Sequence, residues 1–385
     1  MRMRRRVADG SGCDADWSWS FCVPMQIDHR RRNGARPAQR PRKKRHHFLP
    51  RSYLDRFALD GNVLVRRRDG TVFFADTINV AVEAGMYDVP TLSGISSHVE
   101  DLLAIVDSAA AEAMKAMDAT ERAPTRDSGE REALGAYLAL LMTRTPEARE
   151  RSDFPARVSK FLAGRPLTRE LVAEYLEKVH LRIKPRDSEV EGAYTMVEVA
   201  MQDPSLMTKA SSMDLMLGSV AQLYSVLDGM AWSVETDRKR RLITSDAPVV
   251  MWRTPTPRDA YEGVGLNNAE EVRFPLDPSK LLVLTHRRQP STSRMSGERV
   301  RAVNAETAAA CYGFIVARPD RQGAAEKLRM AAHRPAMRFN VGPGYQEGPD
   351  GKVTKMEGEI LHFWIPRRDD LDRPPARQPK RHRRS

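Results

Sequence analysis

The spacing of apolar residues changes twice along this chain, and that change restricts what it can fold into. From about residue 97 to 230 apolar residues recur at helical intervals. In HVEDLLAIVDSAAAEAMKAM, Val99, Leu102, Leu103, Val106 and Ala110 form one stripe. On either side the pattern shortens to that of strands. NVLVRRR and TVFFAD flank Asp69-Gly70, which reads as a β-hairpin. After Trp232 the segments AWSVET, RLIT, VVMW and LLVLT are short, β-branched and broken by Pro and Asp. The pattern predicts an α+β fold with an N-terminal β-hairpin, a central helical block of five or six members, and a C-terminal mixed sheet with two helices at 298–311 and 320–332. The hairpin is free to join that later sheet.

Local signals place the boundaries. Pro50 opens a short helix with Tyr53, Leu54 and Phe57 on one face, and Asp60-Gly61 ends it. Asp127 or Ser128 caps a helix carrying Leu134, Tyr137, Leu138 and Leu141. That helix stops near Arg144, because Pro146 restricts Thr145. Thr145-Pro146-Glu147 then supplies a cap, a first-position proline and a first-turn acid for another helix. Further helices are expected at roughly 168–181, 189–201 and 211–229, a loop at 341–351, and a last strand at LHFWIP.

The net charge of +12 suggests a polyanion partner until it is located. Residues 1–45 carry +9 and residues 367–385 carry +5, which leaves −2 for 46–366. The expected organisation is a disordered basic leader (1–45), a single α+β domain (46–366), and a disordered basic tail (367–385). Within the domain, 46–96 holds the hairpin, 97–230 the helical block and 231–366 the β-rich part. Segments rich in Arg and Pro bury too little apolar surface to offset the entropy of ordering. The tails either make salt-sensitive contacts with nucleic acid or another polyanion, or are incidental. Of 63 cations 50 are Arg, a bias that a GC-rich genome also writes. Met25 offers a later start, and the first 25 residues lack the apolar stretch of a signal peptide. No apolar run is long enough to span a bilayer. The cysteines are Cys13, Cys22 and Cys311, with no CxxC spacing, which suits a reducing cytoplasm; Cys311 reads as a small buried hydrophobe.

The chemistry-bearing residues are scattered. RKKRHHFLPRSYLDRF places His46 and His47 side by side. Neighbouring side chains point to opposite faces of a strand, so the pair cannot easily chelate one metal, although either imidazole can serve as ligand or acid–base group. The alternative is that one packs and the other faces solvent. Thr244-Ser245-Asp246-Ala247-Pro248 follows a strand. Its Ser and Asp either aim into a cleft, or make the local turns usual before Pro. Arg144 either binds an anion with its planar fork or pairs an acid within the fold. Glu100 suits the start of its helix. There is no phosphate-binding glycine loop, no HExxH, no Cys/His zinc spacing and no Gly-x-Ser-x-Gly. His98-Val99-Glu100 lacks the PCxxC a deaminase needs, and the Glu177–His180 spacing has no second copy.

His46, His47, Pro50, Tyr53, Leu54 and Phe57 together resemble the N-terminal signature of a bacterial family, domain of unknown function 4238. Three further stretches resemble that family in the same order: INVAVEAGMYDV, YLALLMTRTPEAR with Arg144, Thr145 and Pro146, and LITSDAPVV with Thr244, Ser245, Asp246 and Pro248. RFPLDPSKLLVL continues the likeness, which spans about residues 46–320. Ser52 stands where the family commonly has an aromatic, and Ala247 where it commonly has Asn. The resemblance implies an organisation and no mechanism. From residue types, the expected function is a metal-assisted hydrolase on a phosphodiester or other anionic substrate. His46, His47, Arg144, Ser245 and Asp246 would be its catalytic set, with His47 and Asp246 holding a divalent metal. The alternatives are a non-catalytic interaction or nucleic-acid-binding protein that uses its basic tails, and a set of polar residues that only knits the fold together.

Overall fold

Pro50, in an extended conformation, caps a four-residue helix whose Tyr53 and Leu54 are fully buried, and the elements that follow are arranged around that anchor. The computed structural model describes residues 45–364 apart from 92–93, 97, 181–183, 203–207, 255–263, 288–291, 331–335, 342–343, 348–352 and 357–358. The basic tail, Cys13, Cys22 and all of the leader except Arg45 lie outside the described residues.

β1 (Arg45–His47) and α1 (Arg51–Leu54) lead into a hairpin of β2 (Asn62–Arg67) and β3 (Val72–Asp76). β4 (Val82–Ala84) returns antiparallel to β1 and sets Glu83 opposite His46. β5 (Val89–Thr91) pairs with β6 (Gly94–Ser96). The helices are α2 (His98–Thr120), α3 (Gly129–Thr143), α4 (Pro146–Leu162), α5 (Arg169–Tyr175, continued by a π turn over Leu176–His180), α6 (Asp187–Gln202) and α7 (Lys209–Gly229). Ser128, Thr145 and Thr168 cap α3, α4 and α5 through side-chain oxygens that accept amides of the first turn. The Thr145 cap and the proline after it divide α3 from α4, as their order in sequence predicts.

The chain then enters β7 (Ala231–Thr236), β8 (Thr244–Ser245), β9 (Val250–Trp252), β10 (Glu271–Asp277), β11 (Lys280–Thr285) and β12 (Thr292–Arg294). α8 (Gly297–Ala310), β13 (Phe314–Ala317) and α9 (Gln322–Ala325) follow. A five-stranded sheet runs β12-β7-β11-β10-β9, with β12 parallel to β7 and the other neighbours antiparallel. The hairpin does pair with C-terminal strands, but in its own four-stranded sheet, ordered β3-β2-β13-β8. The fold is therefore α+β.

Three expectations change. The helix expected over 320–332 is a 3-10 turn (Pro319–Arg321) and the single turn of α9. Arg66 Nη1 donates to the carbonyls of Ala325 at 2.8 Å and Leu328 at 2.6 Å, so a side chain from β2 takes acceptors that a longer helix would use. The loop expected over 341–351 contains β15 (Gly344–Glu347), paired with β16 (Val353–Met356), beside the pair β14 (Ala336–Val341) and β17 (Glu359–Trp364). A cross-strand partner overrode the local Gly and Pro signal. Of RLIT, only Thr244 begins a strand.

The main core joins both halves of the chain. Tyr53 stacks on Phe274 of β10 at 5.1 Å, and Tyr137 of α3 meets the same ring edge-on at 6.1 Å. Arg131 lies 4.3 Å over Trp232 and donates to the Met230 carbonyl at 2.8 Å, fixing α3 against the turn between α7 and β7. A second core lies behind α4, where Phe154, Val158 and Leu162 pack on Tyr175 and Val197. Cys311, at the C-cap of α8, is fully buried.

Candidate functional site: a cation-lined cleft

The stretches that stood out in the sequence meet in space, and much of their polar chemistry is spent on one another. Tyr53 Oη donates to the Pro275 carbonyl at 2.7 Å and lies 2.7 Å from Thr244 Oγ1, with all of these groups buried. The phenol has one proton and gives it to the carbonyl, so the Thr244 hydroxyl donates to the phenol oxygen. Burial pushes the Tyr53 hydroxyl well above the usual phenol range, so it stays protonated and can donate.

Ser245 is fully buried, and its hydroxyl closes a local turn: it accepts from the Ala247 amide at 3.2 Å and donates to the Ala247 carbonyl at 3.0 Å. Asp246 is 1 % exposed and receives three successive backbone amides from the start of β13. Tyr312 donates to Oδ1 at 2.8 Å; Gly313 and Phe314 donate to Oδ2 at 2.5 and 3.2 Å. A Cβ at residue 313 would stand 3.2 Å from Oδ2, so the glycine lets the backbone come this close.

His46 is 3 % exposed and stacks on Tyr87 at 5.5 Å. Its Nδ1 accepts the Tyr87 amide at 3.0 Å, which puts the ring proton on Nε2, 3.0 Å from Glu100 Oε2 and 3.8 Å from Asp88 Oδ1. Glu100 thus does more than complement its helix. His47 sits on the other face of β1, half-buried, bonded to the Ile78 backbone, with Nε2 enclosed and without a hydrogen-bond partner. Burial, helped by the charges of Arg45 and Arg51, holds its pKa below the ordinary value of 6.5.

Arg144 is fully buried at the end of α3. Nη1 donates to Asp107 Oδ2 at 3.1 Å, and Nη2 lies 2.9 Å from Oδ1 without hydrogen-bond geometry. The guanidinium also stands 5.5 Å over the Tyr137 ring. His46, Arg144 and Asp246 are therefore held by three different sets of partners. Among the described residues no group of three or more His, Cys, Asp or Glu side chains is arranged to hold a metal ion.

What these stretches frame is open space. One cavity of about 320 Å³ lies between α4 and the β4 turn. Arg149, Ser152, Asp153, Arg157 and Lys160 line one wall, with Glu83, Gly85 and Met86 opposite. The α4 residues follow helical spacing, so they share one face of the helix, while Phe154 and Val158 fill the second core behind it. Arg149 is buried; Nη1 donates to Ser212 Oγ at 3.0 Å and Nη2 to Asp153 Oδ2 at 3.1 Å, which ties α4 to α7 and neutralises Asp153. Arg157 and Lys160 then outweigh Glu83 along the wall. A second cavity, about 300 Å³, is lined by Phe48, Phe73, Phe314, Arg67, Asn79 and Asp246. Both cavities reach Pro146 and Tyr312, so they adjoin there.

Of the residues singled out from sequence, Asp246 lines this space, and Pro146 and Phe48 come from their motifs. The α4 cations were missed. Their signal was present as Arg149, Arg157 and Lys160 on one face of a helix whose opposite face is apolar, a pattern that ordinary solvated helices also show.

No curated protein and no solved structure matches the chain. The model of a family described as a protein of unknown function, DUF4238, matches residues 45–321. The chain belongs to this family, and the matched segment runs from the histidine pair through the strand that seats Asp246.

Proposed function

We propose that this domain is a binding module for a small anion, phosphorylated or carboxylated, seated against the α4 wall of the first cavity. The supporting observation is the pairing of two facts at one place. The signature groups Tyr53, Thr244, Ser245 and Asp246 are consumed by internal hydrogen bonds, and the cavity beside them is lined by three cations from one helix face. Guanidinium and ammonium groups at a recessed wall suit phosphate or carboxylate oxygens, and the first turn of α4 adds partial positive charge. On this reading the signatures and the Arg149–Asp153–Ser212 network are the frame, and Arg157 and Lys160 are the recognition surface.

The test is calorimetric titration of the full chain with phosphate, pyrophosphate and citrate. The reading expects saturable binding of at least one, weakened about tenfold or more by Arg157→Ala with Lys160→Ala, since a charge-assisted hydrogen bond contributes about 1.5–3 kcal/mol. Both side chains are exposed, so the variant should fold. Absence of binding, or equal binding by the variant, overturns it. Metal-assisted hydrolysis of a phosphodiester is the second reading, favoured by the Asp246 carboxylate lining the adjoining cavity. Turnover by the full chain that depends on an added divalent ion would establish it.

A further inference from the structure

The first cavity explains an anion; the second has a different chemistry. Its walls mix aliphatic residues (Val65, Val80 and Val82) with aromatic ones: Phe48 and Phe314 stand 6.3 Å apart and tilted, and Phe73 carries the Arg67 guanidinium 5.2 Å from its ring centre. Arg67 is exposed and Phe73 half-buried, so this cation and ring form an open-sided plate. An arginine stacked on an aromatic offers a flat, polarisable surface to another planar group. Asn79 adds a polar edge at the rim. Asp246, its oxygens occupied by the amides of residues 312–314, adds negative charge beside Tyr312 and Phe314.

The two cavities share Pro146 and Tyr312. Neither side chain there carries a formal charge, and the Asp246 carboxylate beside Tyr312 has its oxygens covered by three backbone amides. Each lobe alone sits at the lower limit for a small-molecule site of roughly 300–1,000 Å³, and the pair together falls well inside it.

We infer that the two lobes bind one bipartite ligand: a planar ring in the lobe of Phe48, Phe73, Phe314 and Arg67, joined past Pro146 and Tyr312 to a phosphate held by Arg157 and Lys160. The ligand class is that of a nucleoside monophosphate or a similar ring phosphate. This inference rests on the anion-binding reading and adds the ring.

The experiment separates the two. The full chain is titrated with inorganic phosphate, ribose 5-phosphate, adenosine and adenosine monophosphate. The inference expects the monophosphate to bind about tenfold or more tighter than ribose 5-phosphate, the gain expected from stacking one base. Adenosine alone should bind far more weakly than the monophosphate. Arg67→Ala, at an exposed position, should remove most of the gain, lowering affinity for the monophosphate far more than affinity for ribose 5-phosphate. Phe73→Leu serves as a second variant that keeps the packing volume but not the flat face. Equal affinity for the monophosphate and ribose 5-phosphate overturns the inference and leaves the anion reading standing. Adenosine binding as tightly as its monophosphate overturns the coupling of the lobes. No binding by any phosphorylated probe overturns both.

Discussion

The hydroxyl of Tyr53 gives the frame its most direct stability test. It is fully enclosed and joins three signature stretches through two contacts of 2.7 Å, to Thr244 Oγ1 and to the Pro275 carbonyl. Tyr53→Phe keeps the ring stacked on Phe274 but strands a buried carbonyl and a buried hydroxyl. Each orphaned group costs about 1–3 kcal/mol, so the change should destabilise the domain by about 2–6 kcal/mol. Thr244→Val removes only one bond and leaves the phenol donating to Pro275; its cost should be nearer 1 kcal/mol. The double variant should cost less than the two singles added together, because the shared bond is lost once. Denaturant unfolding followed by tryptophan fluorescence reads these differences as shifts in midpoint at constant slope. A Tyr53→Phe protein within 0.5 kcal/mol of the parent would refute the reasoning.

Other expectations follow from the same geometry. Replacing Arg144 with Met leaves the partly exposed Asp107 carboxylate without its cation and should cost about 1–3 kcal/mol, of which Asp107→Asn restores part; unfolding of the single and double variants checks this. His47 has a folded-state pKa below 6.5, so the unfolded chain binds more protons there. Its contribution to stability is complete above pH 6.5 and is lost as pH falls below that value. His47→Gln should accordingly flatten the stability profile on the acid side of pH 6.5, measured by unfolding across a pH series. Gly313→Ala should destabilise the domain and disturb the Asp246 seat, because the new methyl would stand 3.2 Å from Oδ2; the chemical shifts of the amides at 312–314 report it.

The sequence carried the architecture well where the signal was local. The helical stripe of α2, the Thr145-Pro146 junction between α3 and α4, and the Asp69-Gly70 hairpin each followed from residues a few positions apart. It failed where a distant partner decided the outcome. Arg66 reaches the carbonyls that close α9, and Val353–Met356 pairs a segment whose Gly and Pro read as loop. The site divided the same way. Ser245 makes the short-range turn weighed for it, but nothing near Asp246 in sequence announces that its carboxylate takes amides from residues 312–314. The opposed faces of His46 and His47 were visible in their adjacency; the Glu100 and Tyr87 partners of His46 were not. The cations of α4 were visible as a stripe, and only the packing of the β4 turn against them makes that stripe the wall of a cavity.

The central claim is that Asp246 builds the frame and does not react. Its most direct test is the unfolding free energy of Asp246→Asn, measured by denaturant titration beside phosphate binding. The amide has one acceptor oxygen for three inward amides and turns a donor against at least one of them, so the account predicts a loss of about 3 kcal/mol. A variant that keeps the parent's stability to within 0.5 kcal/mol, and loses only a divalent-ion-dependent activity, would contradict it.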